Sequence, residues 1–241
     1  MKQGLFEIIE NTPLTKDVYK MRLLGDTSAI TAPGQFVNIK LDGLFLRRPI
    51  SVCDVEGNVL TILYKVVGRG TEEMAKMESG TLDILTGLGN GYNTAPSGDA
   101  PLLLGGGVGV PPMFMLCKKL LSEGKKVRVV LGFNTKDEVF YEDEFRTIGA
   151  EVTVTTVDGS YGEKGFVTDA LGEGYTYFYT CGPEPMLKAV FHAAKTDGQL
   201  SFEERMGCGF GACMGCSCKT IYGNKRICKE GPVLLKEEIL W

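Results

Sequence analysis

The sequence lacks three features that mark common classes of protein. It has no long run of lysine or arginine and a net charge of −4, so the basic footprint of nucleic-acid binding is missing. No apolar stretch approaches the roughly 18 residues that would suggest a membrane span. The N-terminal residues reach Glu7 too soon to contain the apolar core of a signal peptide. We therefore expect a cytoplasmic protein that binds neither nucleic acid nor membrane.

Histidine is also nearly absent. The single histidine, His192, falls in the middle of a predicted helix, which favours a structural or exposed role. The sequence shows no set of nucleophile, histidine and acid of the kind that hydrolases use. Hydrophobic residues make up 44% and charged residues 23%, which is the composition of an ordinary globular protein.

Cysteine, in contrast, is present and unevenly placed. Cys53, Cys117 and Cys181 are scattered, whereas the other five of the eight cysteines crowd residues 208–241. Disulfide frameworks suit small secreted proteins, whereas clustered cysteines in a cytoplasmic protein indicate metal ligands. The sequence therefore predicts a metal site near its C-terminus.

Four of these cysteines have the spacing C-x4-C-x2-C-x11-C, at Cys208, Cys213, Cys216 and Cys228. This spacing is typical of plant-type [2Fe–2S] sites, which need four thiolates. Glycines between the cysteines let the loop wrap tightly and leave backbone N–H groups free to point at sulfur. The alternative is a zinc site, which prefers two C-x2–4-C pairs separated by a spacer. We interpret the fifth, Cys218, as a buried bystander, with an alternative ligand as the second interpretation.

The rest of the chain divides by pattern into two regions. Residues 1–98 contain six short β-rich runs separated by turn signals, which suggests a barrel or a sandwich. Residues 99–200 alternate strands and helices, which predicts βαβ units and a parallel sheet. In this second region the pattern predicts helices over residues 112–122, 137–147, 167–171 and 185–194.

A glycine-rich loop opens the first of these helices. Residues 105–112 read Gly-Gly-Gly-Val-Gly-Val-Pro-Pro, after a predicted strand. Backbone N–H groups at a helix start, together with the helix dipole, bind phosphate. The G-x-G-x-x-G fingerprint is incomplete, because Pro112 stands where the third glycine belongs. Spacing alone leaves both a nucleotide loop and a plain tight turn open.

Two further motifs carry polar or reactive groups. Residues 48–51 read Arg-Pro-Ile-Ser and residues 68–71 read Gly-Arg-Gly-Thr, which together offer a guanidinium fork, backbone N–H groups and a hydroxyl to a phosphate. Read alone, Arg48 is better explained by a surface salt bridge. Residues 181–183 read Cys-Gly-Pro at the end of a strand, where open α/β sheets bind ligands. Core packing is the alternative for Cys181.

The order of these motifs along the whole chain resembles the ferredoxin–NADP reductase superfamily. Within it, the sequence is similar to the electron-transfer subunits of the NAD-dependent, two-subunit (class 1B) dihydroorotate dehydrogenases, most specifically over residues 203–213 and 228–233. The resemblance implies a β plus α/β fold. Its parts are a six-stranded antiparallel FAD-binding β-barrel at 1–98, a Rossmann-like parallel α/β NAD domain at 99–200 and a small [2Fe–2S] domain at 201–241.

The resemblance also implies site residues. The residues that it places along FAD are Arg48, Pro49, Ile50, Ser51, Leu63, Tyr64, Lys65, Gly70 and Thr71. The residues that it places at the co-substrate NAD(H) are Gly107, Gly109, Cys181 and Gly182. Catalytic positions fall to Ser51, near the flavin ring, and to Cys181, near the nicotinamide. NAD over NADP is implied only by the resemblance, and Lys136 and Arg128 are candidate partners for a 2′-phosphate.

A partner subunit is implied in the same way. It would carry FMN and oxidise dihydroorotate in pyrimidine biosynthesis, in a heterotetramer with two copies of each subunit. Electrons would pass through the cluster and FAD to NAD⁺. Two alternatives stay open: a small subunit of another complex, of the ferredoxin–NADP reductase or sulfide dehydrogenase type, and a redox-sensing module that turns nothing over.

Overall fold

A closed six-stranded antiparallel barrel forms the first part of the protein, in the order β1-β2-β5-β4-β3-β6. The computed structural model describes residues 1–241. Successive side chains of a strand face opposite sides, so alternate residues such as Phe6 and Ile8 fill the barrel interior. The barrel is confirmed over the sandwich. Its strands are β1 (Lys2–Pro13), β2 (Val18–Leu24), β3 (Phe36–Lys40), β4 (Arg48–Glu56), β5 (Val59–Lys65) and β6 (Thr81–Leu88).

A seven-stranded sheet forms the second part, and all but one of its strand pairs are parallel. Its order is β10-β9-β8-β7-β11-β12-β15. The strands are β7 (Leu102–Gly106), β8 (Arg128–Phe133), β9 (Glu151–Thr156), β10 (Glu163–Lys164), β11 (Phe178–Cys181), β12 (Gly198–Ser201) and β15 (Val233–Leu235). The helices of the protein are α1 (Arg69–Ala75), α2 (Pro111–Ser122), α3 (Glu142–Thr147) and α4 (Glu184–Ala193). None of them is long and apolar enough to cross a membrane.

Two of the predicted helices differ from the structure. Residues 167–171 form a turn, in which the Asp169 carboxylate accepts a hydrogen bond from the Phe166 N–H at 2.8 Å. So short a segment gains too few hydrogen bonds to offset the cost of helix nucleation. The prediction over residues 137–147 holds only for α3. Buried Phe140 and Tyr141 break the helix, because their rings pack edge-on against Phe133 and Phe114.

The cysteine-rich segment is built around a hairpin of β13 (Ser217–Thr220) and β14 (Gly223–Arg226), and its last strand joins the α/β sheet. Strand β15 pairs antiparallel with β12. Lys236 Nζ donates to the carbonyls of Ala194 at 2.7 Å and Thr196 at 3.1 Å, at the C-terminal end of α4. The segment therefore packs onto the sheet, and the predicted boundaries at 98/99 and 200/201 stay predictions.

The barrel is joined to the sheet by α2. Cys53 and Leu63 of the barrel share a core with Val110 and Met113 at the start of this helix. Lys118 Nζ binds the Asp54 carboxylate at 2.6 Å and Glu56 at 3.2 Å. Burial alone would lower the pKa of Lys118, but these two carboxylates outweigh it and raise the pKa above its ordinary value. Lys118 is therefore charged throughout the physiological range.

Replacing Lys118 by Met tests this junction. The Asp54 side chain is only 10% exposed, so the variant leaves a buried carboxylate without its partner. We expect the free energy of unfolding to fall by about 1–3 kcal/mol, measured by urea denaturation of the cofactor-loaded protein. The matched control is Lys119→Met, because Lys119 pairs with Glu123 on the exposed side of α2. That control should change stability by less than about 0.5 kcal/mol. Equal losses in the two variants would contradict the assigned role of Lys118.

Candidate cofactor and electron-transfer site

The four cysteines predicted as cluster ligands lie in one segment and form two pairs. Cys208 and Cys213 flank a tight loop, in which Cys208 Sγ accepts hydrogen bonds from the N–H groups of Ala212 at 3.2 Å and Cys213 at 3.4 Å. Cys216 and Cys228 lie at the two ends of the β13–β14 hairpin, and the Cys228 N–H points at Cys216 Sγ at 3.4 Å. The side chains do not place three or more ligands around one point.

The two pairs differ in their electrostatic surroundings. Burial alone would raise the pKa of Cys208, but N–H groups of Phe210, Cys213 and Ala212 outweigh it and lower the pKa to about 6. Burial, together with the neighbouring Cys216 thiol, raises the pKa of Cys228 to about 12. A bound metal would deprotonate Cys228, as it does any coordinating thiol.

These features fit a two-iron cluster. Such a cluster takes four thiolates, and the paired arrangement offers two to each iron. A Cβ atom at Gly207 would lie 3.3 Å from Cys213 Sγ, which is a tight contact, so this glycine lets the chain pass close to the sulfur. Cys213 is exposed whereas Cys216 and Cys228 are buried, so one edge of the cluster site faces solvent. Cys218 is partly buried against the core below the hairpin, and its thiol donates to the Lys219 carbonyl at 3.8 Å rather than to another cysteine.

The predicted FAD residues gather where two strands of the barrel separate. The pairing of β4 with β5 ends at Val52 and Ile62, so residues 48–51 and 63–65 face each other without ladder hydrogen bonds. The backbone N–H and C=O groups that these residues point toward the gap between β4 and β5 therefore need another hydrogen-bond partner. Directly opposite residues of paired strands share a side of the sheet, which puts Pro49 beside Asn38 and Ser51 beside Phe36 on the outer face.

Arg48 and Gly70 are in contact at this opening. A Cβ atom at Gly70 would lie 2.2 Å from Arg48 Nε, so a larger residue at position 70 would displace the guanidinium. The Thr71 hydroxyl donates to the Gly68 carbonyl at 3.0 Å and accepts from the Val67 N–H at 2.9 Å. The arrangement fits a phosphate cradle made of the guanidinium and the backbone of this turn.

Three other predicted FAD residues have side-chain partners in the protein. The Tyr64 hydroxyl donates to Asn11 Oδ1 at 2.9 Å inside the barrel, and burial raises the pKa of Tyr64 to about 12. Lys65 Nζ pairs with Asp17 at 3.1 Å. Leu63 belongs to the core that the barrel shares with α2. Tyr64 and Leu63 therefore offer only their backbone to FAD, whereas the Lys65 side chain is 37% exposed. The assignment of all three stays a prediction.

The predicted NAD residues come from two loops that touch. A Cβ atom at Gly109 would lie 2.2 Å from the Cys181 carbonyl oxygen and 2.6 Å from the Gly182 nitrogen. The glycine loop therefore packs directly on the C-terminal end of β11. Gly107 has φ +52 and open space on its Cβ side, at the start of a turn that leads into α2. This juxtaposition at the carboxyl edge of a parallel sheet fits a nucleotide phosphate beside the N-terminal start of α2.

The Cys181 thiol is neutral at physiological pH. Burial raises its pKa to about 12, and a hydrogen bond with Ser201 offsets only part of that effect. Cys181 and Ser201 are register partners on β11 and β12, so their side chains lie side by side. A neutral thiol offers shape and a weak hydrogen bond beside a nicotinamide, and no nucleophile.

Asn38 connects the barrel with the cluster loop, and the sequence analysis missed it. Its Nδ2 donates to the carbonyl of the cluster ligand Cys208 at 3.1 Å, and a Cβ atom at Gly209 would lie 2.3 Å from the same nitrogen. Its Oδ1 is buried and has no partner within the protein. The signal was available, since a polar residue inside the apolar strand β3 implies a specific buried partner.

The comparisons with known proteins agree with this arrangement. Two family models match, the iron–sulfur cluster binding domain of dihydroorotate dehydrogenase B over residues 203–240 and an oxidoreductase NAD-binding domain over residues 103–192. The dihydroorotate dehydrogenase B (NAD(+)) electron transfer subunit of Fusobacterium nucleatum is 44% identical over an alignment 248 residues long, gaps included. The alignment covers 95% of each chain. The subunit of the same name from a Geobacillus species is 42% identical, over 100% of this chain and 99% of that one.

Solved structures give the same picture of the fold. The structure of an NADH-dependent reduced ferredoxin–NADP oxidoreductase superposes with a TM-score of 0.90 at 32% identity, covering 99% of this chain and 90% of the other. A ferredoxin–NADP⁺ reductase of Neisseria gonorrhoeae with bound FAD and NADP gives 0.70 at 17% identity, covering 80% of this chain and 90% of that one. The second likeness is one of fold alone.

Fold and site together define an NAD-linked oxidoreductase of the ferredoxin–NADP reductase type with a C-terminal iron–sulfur segment. This confirms the predicted superfamily and the predicted iron–sulfur site over zinc. Within that class, the chain belongs to the family of electron transfer subunits of dihydroorotate dehydrogenase B (NAD(+)).

Replacing Gly109 by Ala tests the nucleotide site. The added methyl group would overlap the Cys181 carbonyl, so the glycine loop must move away from β11. We expect the KM for NADH in ferricyanide reduction to rise by about tenfold, a loss of about 1.4 kcal/mol of binding. The control is Val108→Ala, because Val108 lies in the same loop with its side chain 39% exposed. An unchanged KM in Gly109→Ala, with full cofactor content, would refute the site.

Replacing Asn38 by Leu tests the link between barrel and cluster. The variant removes the only side-chain donor to the Cys208 carbonyl while keeping the branched shape of the side chain. We expect flavin bleaching by NADH at the wild-type rate and a severalfold slower reduction of the cluster, in anaerobic stopped-flow absorbance. Asn38→Asp, which cannot donate either once ionised, should behave in the same direction. Wild-type rates of cluster reduction in both variants would show that Asn38 has no part in the transfer.

Proposed function

We propose that this chain carries electrons from the catalytic subunit of a dihydroorotate dehydrogenase to NAD⁺, in cytoplasmic pyrimidine biosynthesis. The observation that carries the proposal is the position of the two thiol pairs. They lie in a segment packed between the barrel and the NAD-binding sheet, in a chain of this family. The electron path then runs from the [2Fe–2S] cluster through FAD to NAD⁺.

A flavin supplies the chemistry that joins the two ends, because it exchanges a hydride with nicotinamide and single electrons with an iron–sulfur cluster. We assign FAD to the opening between β4 and β5. Arg48 and the turn at Gly70 and Thr71 hold its phosphates, and the backbone of residues 49–51 and 63–65 lies along it. Pro49 and Ser51 share the outer face of the barrel with Asn38, which supports a flavin ring on the side of the cluster.

The NAD site is assigned to the contact between the glycine loop and β11. Backbone N–H groups of Gly107 and Gly109 bind the phosphates, and Cys181 and Gly182 border the nicotinamide. Ser51 positions the flavin ring and Cys181 positions the nicotinamide ring. Cys181 does not act as a nucleophile, because burial raises its pKa and keeps the thiol neutral. The three parts at 1–98, 99–200 and 201–241 thus hold one redox group each.

The exposed edge of the cluster loop is assigned to the catalytic subunit. Cys213 is exposed there, and the neighbouring side chains of Phe210 and Met214 are 46% and 53% exposed. Exposed apolar side chains around a redox centre are more favourable in contact with another protein than in contact with water. The proposed partner carries FMN, oxidises dihydroorotate and assembles with this chain as two copies of each.

A second function has one observation in its favour. The superposition at a TM-score of 0.90 is with an NADH-dependent reduced ferredoxin–NADP oxidoreductase, at 32% identity. A subunit of that kind would have the same cofactor sites and a different large partner. The identity of 44% to an electron transfer subunit of dihydroorotate dehydrogenase B favours the first proposal.

Anaerobic purification of the chain, alone and with a candidate FMN subunit, tests both functions. We expect a flavin-plus-[2Fe–2S] visible spectrum that bleaches with NADH, and NADH–dye reductase activity in the chain alone. Dihydroorotate oxidation by NAD⁺ should require the FMN subunit. Dihydroorotate turnover by the isolated chain, or a protein without iron, would overturn the first proposal. If the chain supports electron transfer between ferredoxin and NADP⁺ only when it is combined with a different flavoprotein, the second function is established.

A further inference from the structure

Arg226 joins the two stretches of sequence that supply the cluster cysteines. It ends β14, two residues before Cys228. One of its terminal nitrogens donates to the Gly211 carbonyl at 2.6 Å, within the loop between Cys208 and Cys213. A hydrogen bond across these stretches fixes the distance between the two thiol pairs.

Glu230 holds Arg226 from the other side of Cys228. Its carboxylate accepts from Arg226 Nε at 2.9 Å and from the Arg226 backbone N–H at 2.8 Å, and it also pairs with a terminal nitrogen of the guanidinium. The N–H groups of Lys229 and Glu230 donate to the Arg226 carbonyl at 2.9 and 2.8 Å. The turn that carries Cys228 is therefore closed on itself, with a positive and a negative charge at fixed positions beside a cluster ligand.

Both charges are partly shielded from water. The side chains of Arg226 and Glu230 are 23% and 34% exposed. Charges at such positions interact more strongly with a neighbour than charges in bulk solvent do, because the effective dielectric constant is lower. Nearby charge, hydrogen bonding and solvent exposure are the means by which a protein tunes an iron–sulfur potential.

We propose that Arg226 and Glu230 are positioning residues that set the reduction potential of the cluster in opposite directions. The inference rests on the proposed cluster. The reduced cluster carries one more negative charge than the oxidised cluster, so the guanidinium stabilises the reduced form and the carboxylate destabilises it. Arg226 raises the potential, Glu230 lowers it, and their pairing limits the size of both effects.

The test is a redox titration of the cofactor-loaded chain, followed by the EPR signal of the reduced cluster. Arg226→Gln is expected to shift the midpoint potential to lower values, and Glu230→Gln to shift it to higher values. The double variant is expected to lie near wild type. Shifts of the same sign in the two single variants, or no shift in either, would overturn the proposal.

Two further variants separate charge from attachment. Arg226→Lys keeps the charge but loses the fork to Gly211 and Glu230, so its potential should stay closer to wild type than that of Arg226→Gln. Lys219→Gln removes one positive charge from an exposed position on β13 of the same hairpin and should shift the potential less. A shift as large in Lys219→Gln as in Arg226→Gln would show that any nearby charge suffices.

Iron content and the visible spectrum separate this inference from the proposed function. A wild-type chain without a cluster would defeat the proposed function itself. A wild-type chain with a cluster, whose potential the variants leave unchanged, would defeat only the role of Arg226 and Glu230. If the Arg226→Gln variant loses its cluster, the potential of the Glu230→Gln variant still tests the proposal. That variant should keep its cluster, because the glutamine carbonyl still accepts hydrogen bonds from the Arg226 N–H groups.

Discussion

The arrangement of the protein depends on one hydrophobic core that three parts of the chain share. Phe36 and Leu88 come to it from the outer face of the barrel, Phe178 and Leu187 from the sheet and α4, and Ile227 from the cysteine hairpin. Burial of apolar surface is the largest favourable term in folding, so these parts cannot separate without exposing it. Because the proposed FAD, NAD and cluster sites border this core, its packing fixes the distances between them.

Glycine makes the close approaches at each of these sites. Gly70 admits the Arg48 guanidinium, Gly109 lies on the Cys181 carbonyl, and Gly209 lies against the Asn38 carboxamide. In each case a Cβ atom would come within 2.3 Å of an atom from another element. The 32 glycines of this chain are thus partly explained by contacts between distant segments, in addition to local turns.

Sequence patterns predicted the elements and motifs that depend on local spacing. Six short β-rich runs with turn signals predicted a barrel or a sandwich, the family resemblance specified the barrel, and the C-x4-C-x2-C-x11-C spacing predicted the iron–sulfur segment. Patterns failed where packing overrides local preference, as at Phe140 and Tyr141, whose burial interrupts a predicted helix. They also missed β15, because three residues carry too little periodicity and the strand forms only when β12 is beside it.

Asn38 and Arg226 were missed for a related reason. Their roles follow from partners 170 and 15 positions away in sequence, the carbonyls of Cys208 and Gly211. A carbonyl oxygen belongs to every residue, so no residue type in the sequence marks it as an acceptor. A polar residue in an apolar strand can indicate that some buried partner exists, but which distant carbonyl it contacts becomes visible only once the fold is known.

The two faces of the α/β sheet hold the barrel by different means, and this has a consequence for electron transfer. On one face, α2 packs on β4 through Lys118 and Asp54. On the other, the cysteine hairpin fills the space between sheet and barrel. A hinge between barrel and sheet would need one of these faces to open, which would break either a buried ion pair or the shared core. Both sets of contacts oppose such a hinge, so we expect individual side chains, rather than movement of the barrel against the sheet, to adjust the reduction potential of the proposed cluster.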